Sequence, residues 1–157
     1  MSRKSCISFF LVLVLSCSFV LPSKAAEQLD NQLGGIVVFT FEDGSYLVEK
    51  PSVVLQRTST TVTASKTYNC INEDGVTEWS AKLTGTFTYN GSTSYCTASS
   101  CTTTVYSGNW HEAVNNASYA GNAAFASVTM ELKFLFIVIK TQNVSLTLTC
   151  DANGNLS

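Results

Sequence analysis

Few residues in this chain are equipped for chemistry. His111 is the only histidine among 157 residues. A Ser–His–acid triad would have to use it, with Glu112 as the nearest acid in sequence. Successive side chains of an extended chain point to opposite faces, so Glu112 is badly placed to orient it. No Gly-x-Ser-x-Gly motif singles out a nucleophile. Glu42-Asp43 and Glu73-Asp74 resemble the carboxylate pairs of hydrolases, yet Gly44 and Gly75 follow them directly. An aspartate before a glycine caps a turn, which is the expectation for both pairs. Asp151-Ala152-Asn153-Gly154 holds only a fragment of a calcium loop, and no glycine-rich phosphate cradle occurs. The expectation is therefore no enzyme, no cofactor and no metal.

Cysteines are the other reactive set. Cys6 and Cys17 fall in the leader, leaving Cys70, Cys96, Cys101 and Cys150. The Cys96-x4-Cys101 spacing is wider than a zinc knuckle and a second histidine is missing, so structural disulfides are expected instead. Four cysteines allow three connectivities. A local Cys96–Cys101 bond, with residues 97–100 looped out, leaves Cys70–Cys150 to cross the core. Cys96–Cys150 is the rival. Cys70–Cys101 is disfavoured because alternate strands lie about 9.6 Å apart, beyond the roughly 7 Å a bridge allows. Trp110, Tyr106 and Tyr119 lie outside the best-patterned strand. They would stack on sugars if exposed, and belong to the core otherwise.

The N-terminus reads as an export signal. Met1-Ser2-Arg3-Lys4 is basic, residues 7–21 are apolar, and Ser23 and Ala25 occupy −3 and −1 for cleavage after Ala25. The apolar run is shorter than the roughly 20 residues of a spanning helix, so the membrane is engaged only through this signal. A surface lipoprotein attached through Cys17 is the alternative, with Leu15 a poor fit to a lipobox. After cleavage, nine basic residues less Arg3, Lys4 and Lys24 leave six against 11 acidic ones, a formal net charge of −5. Such a surface repels phosphate backbones, which excludes nucleic acid and leaves an extracellular protein or glycan as partner.

The elements that must hold these residues are strands. Residues 76–89 alternate Trp79, Ala81, Leu83, Gly85, Phe87 and Tyr89 with hydroxylated and charged residues. Asp74-Gly75 and Asn90-Gly91 bound the stretch as two-residue hairpin turns, making it the middle strand of a meander. In that register Cys70 faces Trp79, Tyr68 faces Ala81, and Cys96 faces Gly85, which would make room for it. Lys66 breaks the apolar parity of residues 62–70. Ile36–Phe41 and 45–49 form a hairpin candidate around Asp43-Gly44, and residues 110–120 have no clean period. Ala124 to Val138 share one parity, as do Val144 to Cys150. Residues 134–139 are continuously apolar, as in a strand covered on both faces. The chain must reverse between Phe134 and Gln142, where no glycine, proline or Asn-Gly marks the turn. The division expected is a signal peptide over 1–25, a hairpin and connection over 26–58, and an antiparallel β-sandwich core with short Gly/Asn turns over 59–157. Asn90, Asn116 and Asn143 head glycosylation sequons, meaningful only in a eukaryotic source.

The run from Trp79 to Gly91, then Cys96-Thr97, Trp110, Gly121-Asn122 and the ending from Leu146 to Ser157, resembles an uncharacterised family of small secreted proteins of Gram-positive bacteria. That resemblance implies a bacterial source and a β-rich fold, and carries over no activity. The function expected is a secreted, non-enzymatic interaction or structural protein. The alternatives are a carbohydrate- or cell-envelope-binding module and a secreted toxin or bacteriocin-like effector.

Overall fold

The computed structural model describes residues 34–157. The signal reading, 1–25, and Cys17 lie outside the described residues. The described chain is all-β, with the strands β1 (Ile36–Thr40), β2 (Tyr46–Glu49), β3 (Val53–Arg57), β4 (Thr61–Ile71), β5 (Thr77–Tyr89), β6 (Ser94–Val105), β7 (Trp110–Ala120), β8 (Ala123–Phe134) and β9 (Ile137–Thr149). The larger antiparallel sheet runs β1-β2-β4-β5-β6, and the smaller one is the meander β7-β8-β9. β2 and β3 share one edge of β4: β2 pairs along Tyr68–Ile71 and β3 along Val62–Ser65. The chain from Ile36 to Arg57 thus belongs to the same sheet as the central strands.

β5 occupies the centre because its alternation supplies one fully apolar face. Trp79, Ala81, Leu83 and Phe87 are all buried, packed with Val128 and Met130 of β8 and Leu146 and Leu148 of β9. The two sheets thus share one core, with Trp79 and Trp110 meeting edge to face at 6.2 Å. Gly85 serves that packing. A Cβ there would come within 2.7 Å of the Phe87 ring and 3.1 Å of Ala124 Cβ, so its space is taken by those two side chains and not by Cys96. Lys66 is buried on the same parity and reaches Glu49 Oε1 at 3.0 Å, which explains how a lysine fits an otherwise apolar series.

The register expected for β4 and β5 is observed: Cys70 pairs with Trp79 and Tyr68 with Ala81. The turns differ. The β4–β5 connection closes by Asn72 N–H to Val76 C=O at 2.9 Å, leaving Glu73, Asp74 and Gly75 as a three-residue loop. Asn72, not Asp74, is the capping side chain, accepting from the Asp74 and Val76 amides. The β5–β6 loop holds four residues, so Tyr89 pairs with Ser94 and Cys96 with Phe87. That is a slip of two from the two-residue expectation, and a slip of two preserves facing, so Cys96 still points inward. A bulge opposite Thr86 and Phe87 then brings Ser99 against Gly85. Trp110–Ala120 is a strand throughout. As an edge strand, with a bulge between Glu112 and Val114, it buries little beyond Trp110, which explains its mixed pattern.

Candidate functional site: an apolar hairpin tip

The turn that sequence left unplaced is Leu135-Phe136, with φ of 47° and 69°. Positive φ at both central positions is the type I′ hairpin turn, a conformation that Asn-Gly adopts readily and bulky residues resist. The ladder imposes it here. β8 and β9 pair from Ala123↔Thr149 to Phe134↔Ile137, and once the buried faces of Val128, Met130, Val144 and Leu146 are aligned only Leu135 and Phe136 remain to reverse the chain. Strained non-glycine turn residues of this kind cluster at functional sites.

Residues 134–139 are not covered on both faces, contrary to the reading of their continuous apolar run. Phe136 is 98 % exposed, Leu135 75 %, Ile137 67 % and Phe134 60 %, and Val138 and Ile139 are also exposed. The sheet ends beneath them. Trp110, the first residue of β7, pairs with Leu132, and the last support is Lys133 N–H to Asn109 C=O at 3.0 Å. From Leu132 to the turn the hairpin rises three residues, or about 10 Å.

The root of the hairpin is held as firmly as the tip is bare. Gln142 is buried and accepts from Trp79 Nε1 at 2.9 Å and from Cys70 Sγ at 3.3 Å, while its Nε2 donates to Ser45 Oγ at 3.1 Å. Ser45 Oγ in turn donates to Asp43 Oδ1 at 2.7 Å. Lys140 bonds the other oxygen of Asp43 and lies over the Trp110 and Phe41 rings at 5.3 and 5.8 Å. Burial alone would raise the Asp43 carboxyl, but the bonds from Lys140 and Ser45 outweigh it and hold it below the usual range. Burial in the core, helped by the negative field of Glu78, pushes the Cys70 thiol up to about 12. On the opposite strand Lys133 pairs with Glu131 at 3.1 Å. Both lysines that flank the tip are therefore already matched by carboxylates.

Of the residues nominated from sequence, Asp43 and Cys70 lie in this root and His111 lines one cavity with Lys133, Leu135 and Phe136, while the others fall elsewhere. Asp43 caps its own turn through the Ser45 amide and hydroxyl, as expected for that pair. His111 is exposed on β7, while the Glu112 carboxylate bonds Thr103 Oγ1 and Asn115 Nδ2, away from it. Trp110 is 3 % exposed and belongs to the core, while Tyr106 and Tyr119 are exposed. Asn90 accepts from the Ser92 and Thr93 amides of its own turn. Among the described residues no group of three His, Cys, Asp or Glu side chains converges as a metal site would require.

The four cysteines among the described residues are all free. Two of the pairings favoured from sequence are incompatible with this structure. Residues 97–100 do not loop out; they lie within β6, so Cys96 and Cys101 are five residues apart on one strand, about 16 Å. Cys70 contacts Gln142, from which β9 runs eight residues to Cys150, roughly 27 Å. Both separations far exceed bridging distance. Cys96 and Cys150 instead flank one turn: the Cys96 amide donates to Gly121 C=O at 2.7 Å and the Cys150 amide to Asn122 C=O at 3.1 Å. Both side chains are buried in the common core.

The tip was legible only as an anomaly, an apolar run with no residue suited to turning. No protein-family model, no curated protein and no solved structure matches the chain.

Proposed function

We propose that this chain is an exported, non-enzymatic attachment protein: an antiparallel β-sandwich, preceded by a signal peptide, that presents the β8–β9 tip as a hydrophobic anchor. One observation carries the reading. Leu135 and Phe136 occupy the most exposed turn of the hairpin in a conformation that suits neither residue. Folding gains nothing from two large apolar side chains in solvent and loses by their backbone strain. A role outside the folded domain accounts for both. The rigid root at Gln142, Ser45, Asp43 and Lys140 fits this, since an anchor transmits force only if its base is fixed. A sugar-stacking platform has less support, because Trp110 is buried. The toxin or effector reading shares the anchor and differs only in the step after attachment. The resemblance to secreted Gram-positive proteins agrees with export.

The test is retention on a phenyl-substituted matrix at low ionic strength. The native protein should be retained, and the double substitution Leu135→Asn/Phe136→Gly should pass through while remaining folded. Equal retention of both would move the anchor to another exposed patch, such as Ile36, Phe39 or Leu55, and refute the assignment to the tip.

A further inference from the structure

Resting on that attachment role, we propose that the partner is a lipid bilayer with zwitterionic headgroups, entered by the β8–β9 tip to the depth of one turn and its first residue pair.

The tip's chemistry fits hydrocarbon better than a protein pocket. Phe134, Leu135, Phe136 and Ile137 carry no side-chain hydrogen-bonding group, whereas a protein interface of ordinary size uses about ten hydrogen bonds for its specificity. A bilayer requires only apolar area. The tip also rises about 10 Å above the last backbone bond of its sheet, which matches the roughly 5–10 Å an interfacial anchor penetrates. A second copy is a poorer occupant. Two tips meeting would cover at most their four apolar side chains each, short of the roughly 1,200 Å² at which stable interfaces begin.

Depth is limited from two sides. A spanning strand needs about 9–11 residues, and only residues 134–139 are continuously apolar. The outward backbone groups of this two-stranded tip have no third strand beyond Trp110, and each unpaired amide or carbonyl in hydrocarbon costs heavily. Penetration therefore stops near Lys133 and Lys140, whose ion pairs with Glu131 and Asp43 are charged groups that stay out of the hydrocarbon.

Charge selects the lipid. A polybasic segment would draw the protein to anionic membranes, but Lys133 is matched by Glu131 and Lys140 by Asp43, with Glu42 beside it. The surface at the tip's base thus offers no net positive charge to anionic headgroups. Binding should be insensitive to salt, and anionic lipid should not strengthen it.

Flotation of the full mature chain with large phosphatidylcholine vesicles tests this. Native protein should float with the vesicles equally at low and high salt, and Leu135→Asn/Phe136→Gly should lower the partition at least tenfold. Phe136→Trp should partition like native and show a blue-shifted emission, quenched most by lipids brominated high on the acyl chain. Retention on the phenyl matrix that depends on the tip, without vesicle binding, would reject the bilayer and leave the attachment role standing. A dimer seen by sedimentation velocity without lipid, lost in the double variant, would overturn the proposal by assigning the tip to a second copy. Vesicle binding only with phosphatidylglycerol, and abolished by salt, would overturn it by locating the interaction in charge and not in the tip. Loss of both matrix retention and vesicle binding in the native protein would remove the attachment role as well.

Discussion

Replacing Leu135-Phe136 by Asn-Gly should make the protein more stable. Both positions hold φ between 47° and 69°, where a bulky L-residue costs roughly 1 kcal/mol and Asn or Gly little. Almost no burial is lost, because the two side chains are 75 % and 98 % exposed. Glycine returns part of the gain through the greater freedom of the unfolded chain, and the two neighbouring sites are not additive. The expected net is about 1–2 kcal/mol. For a domain of this size that is a rise in Tm of roughly 3–10 °C. Urea titration reads it directly: the midpoint should rise with the slope unchanged, since the surface exposed on unfolding is the same. A midpoint that fell would mean the two side chains are packed in solution and the tip is not bare. A changed slope would mean that the turn, and with it the β8–β9 register, had rearranged. Stability gained where attachment is lost is the signature expected of a functional, strained turn.

Gln142→Leu keeps the buried volume but removes the acceptor for Trp79 Nε1 and Cys70 Sγ and the donor to Ser45 Oγ. It should cost about 1–3 kcal/mol by urea titration and speed amide exchange at the hairpin root; slow exchange there would show that the network does not fix it. Oxidised protein should yield a Cys96–Cys150 peptide under non-reducing digestion, with Cys70 recovered as a thiol that alkylates slowly at pH 8, being buried and protonated below about 12; a Cys70–Cys150 peptide would contradict the strand order. Glu49 would be raised by burial, but bonds from Tyr68 at 2.5 Å and Lys66 outweigh it and lower its pKa on folding. Its contribution is therefore full above the unfolded value of about 4.3 and disappears as pH falls through the lower folded one. The gap in urea midpoint between native and Glu49→Gln protein should be widest near pH 6 and close below about pH 4; a gap that widened in acid would reverse the sign.

Alternation is a local property, and whatever depends on it was readable from the chain. Trp79 to Phe87 announce one apolar face within a single strand, and the matching parity of Tyr68 and Cys70 is enough to set the β4–β5 register. Val144 to Cys150 are legible for the same reason. Loop lengths were less so. Asn90-Gly91 signals a turn, yet the Asn90 side chain stabilises a four-residue loop, because its oxygen reaches the Ser92 and Thr93 amides. The slip of two was harmless to facing and decisive for which residue meets Gly85.

The amino-acid order by itself determined the alternating strands around Trp79, Val128 and Leu146 and the core residues they share, but not β3, nor β7 with its mixed pattern. Only tertiary structure decided which apolar residues stay wet and which cysteines meet. Residues 134–139 read like a buried strand because composition reports hydrophobicity and not cover; the cover is missing because β7 begins at Trp110, opposite Leu132. Leu135-Phe136 turns without a turn sequence because the long β8–β9 ladder outweighs the preference of two residues. Cys96 and Cys150 converge on the Gly121-Asn122 turn although they are 54 positions apart in the chain, since the two sheets bring their strand ends together there. Each of these outcomes depends on pairing between distant segments, which no local pattern encodes.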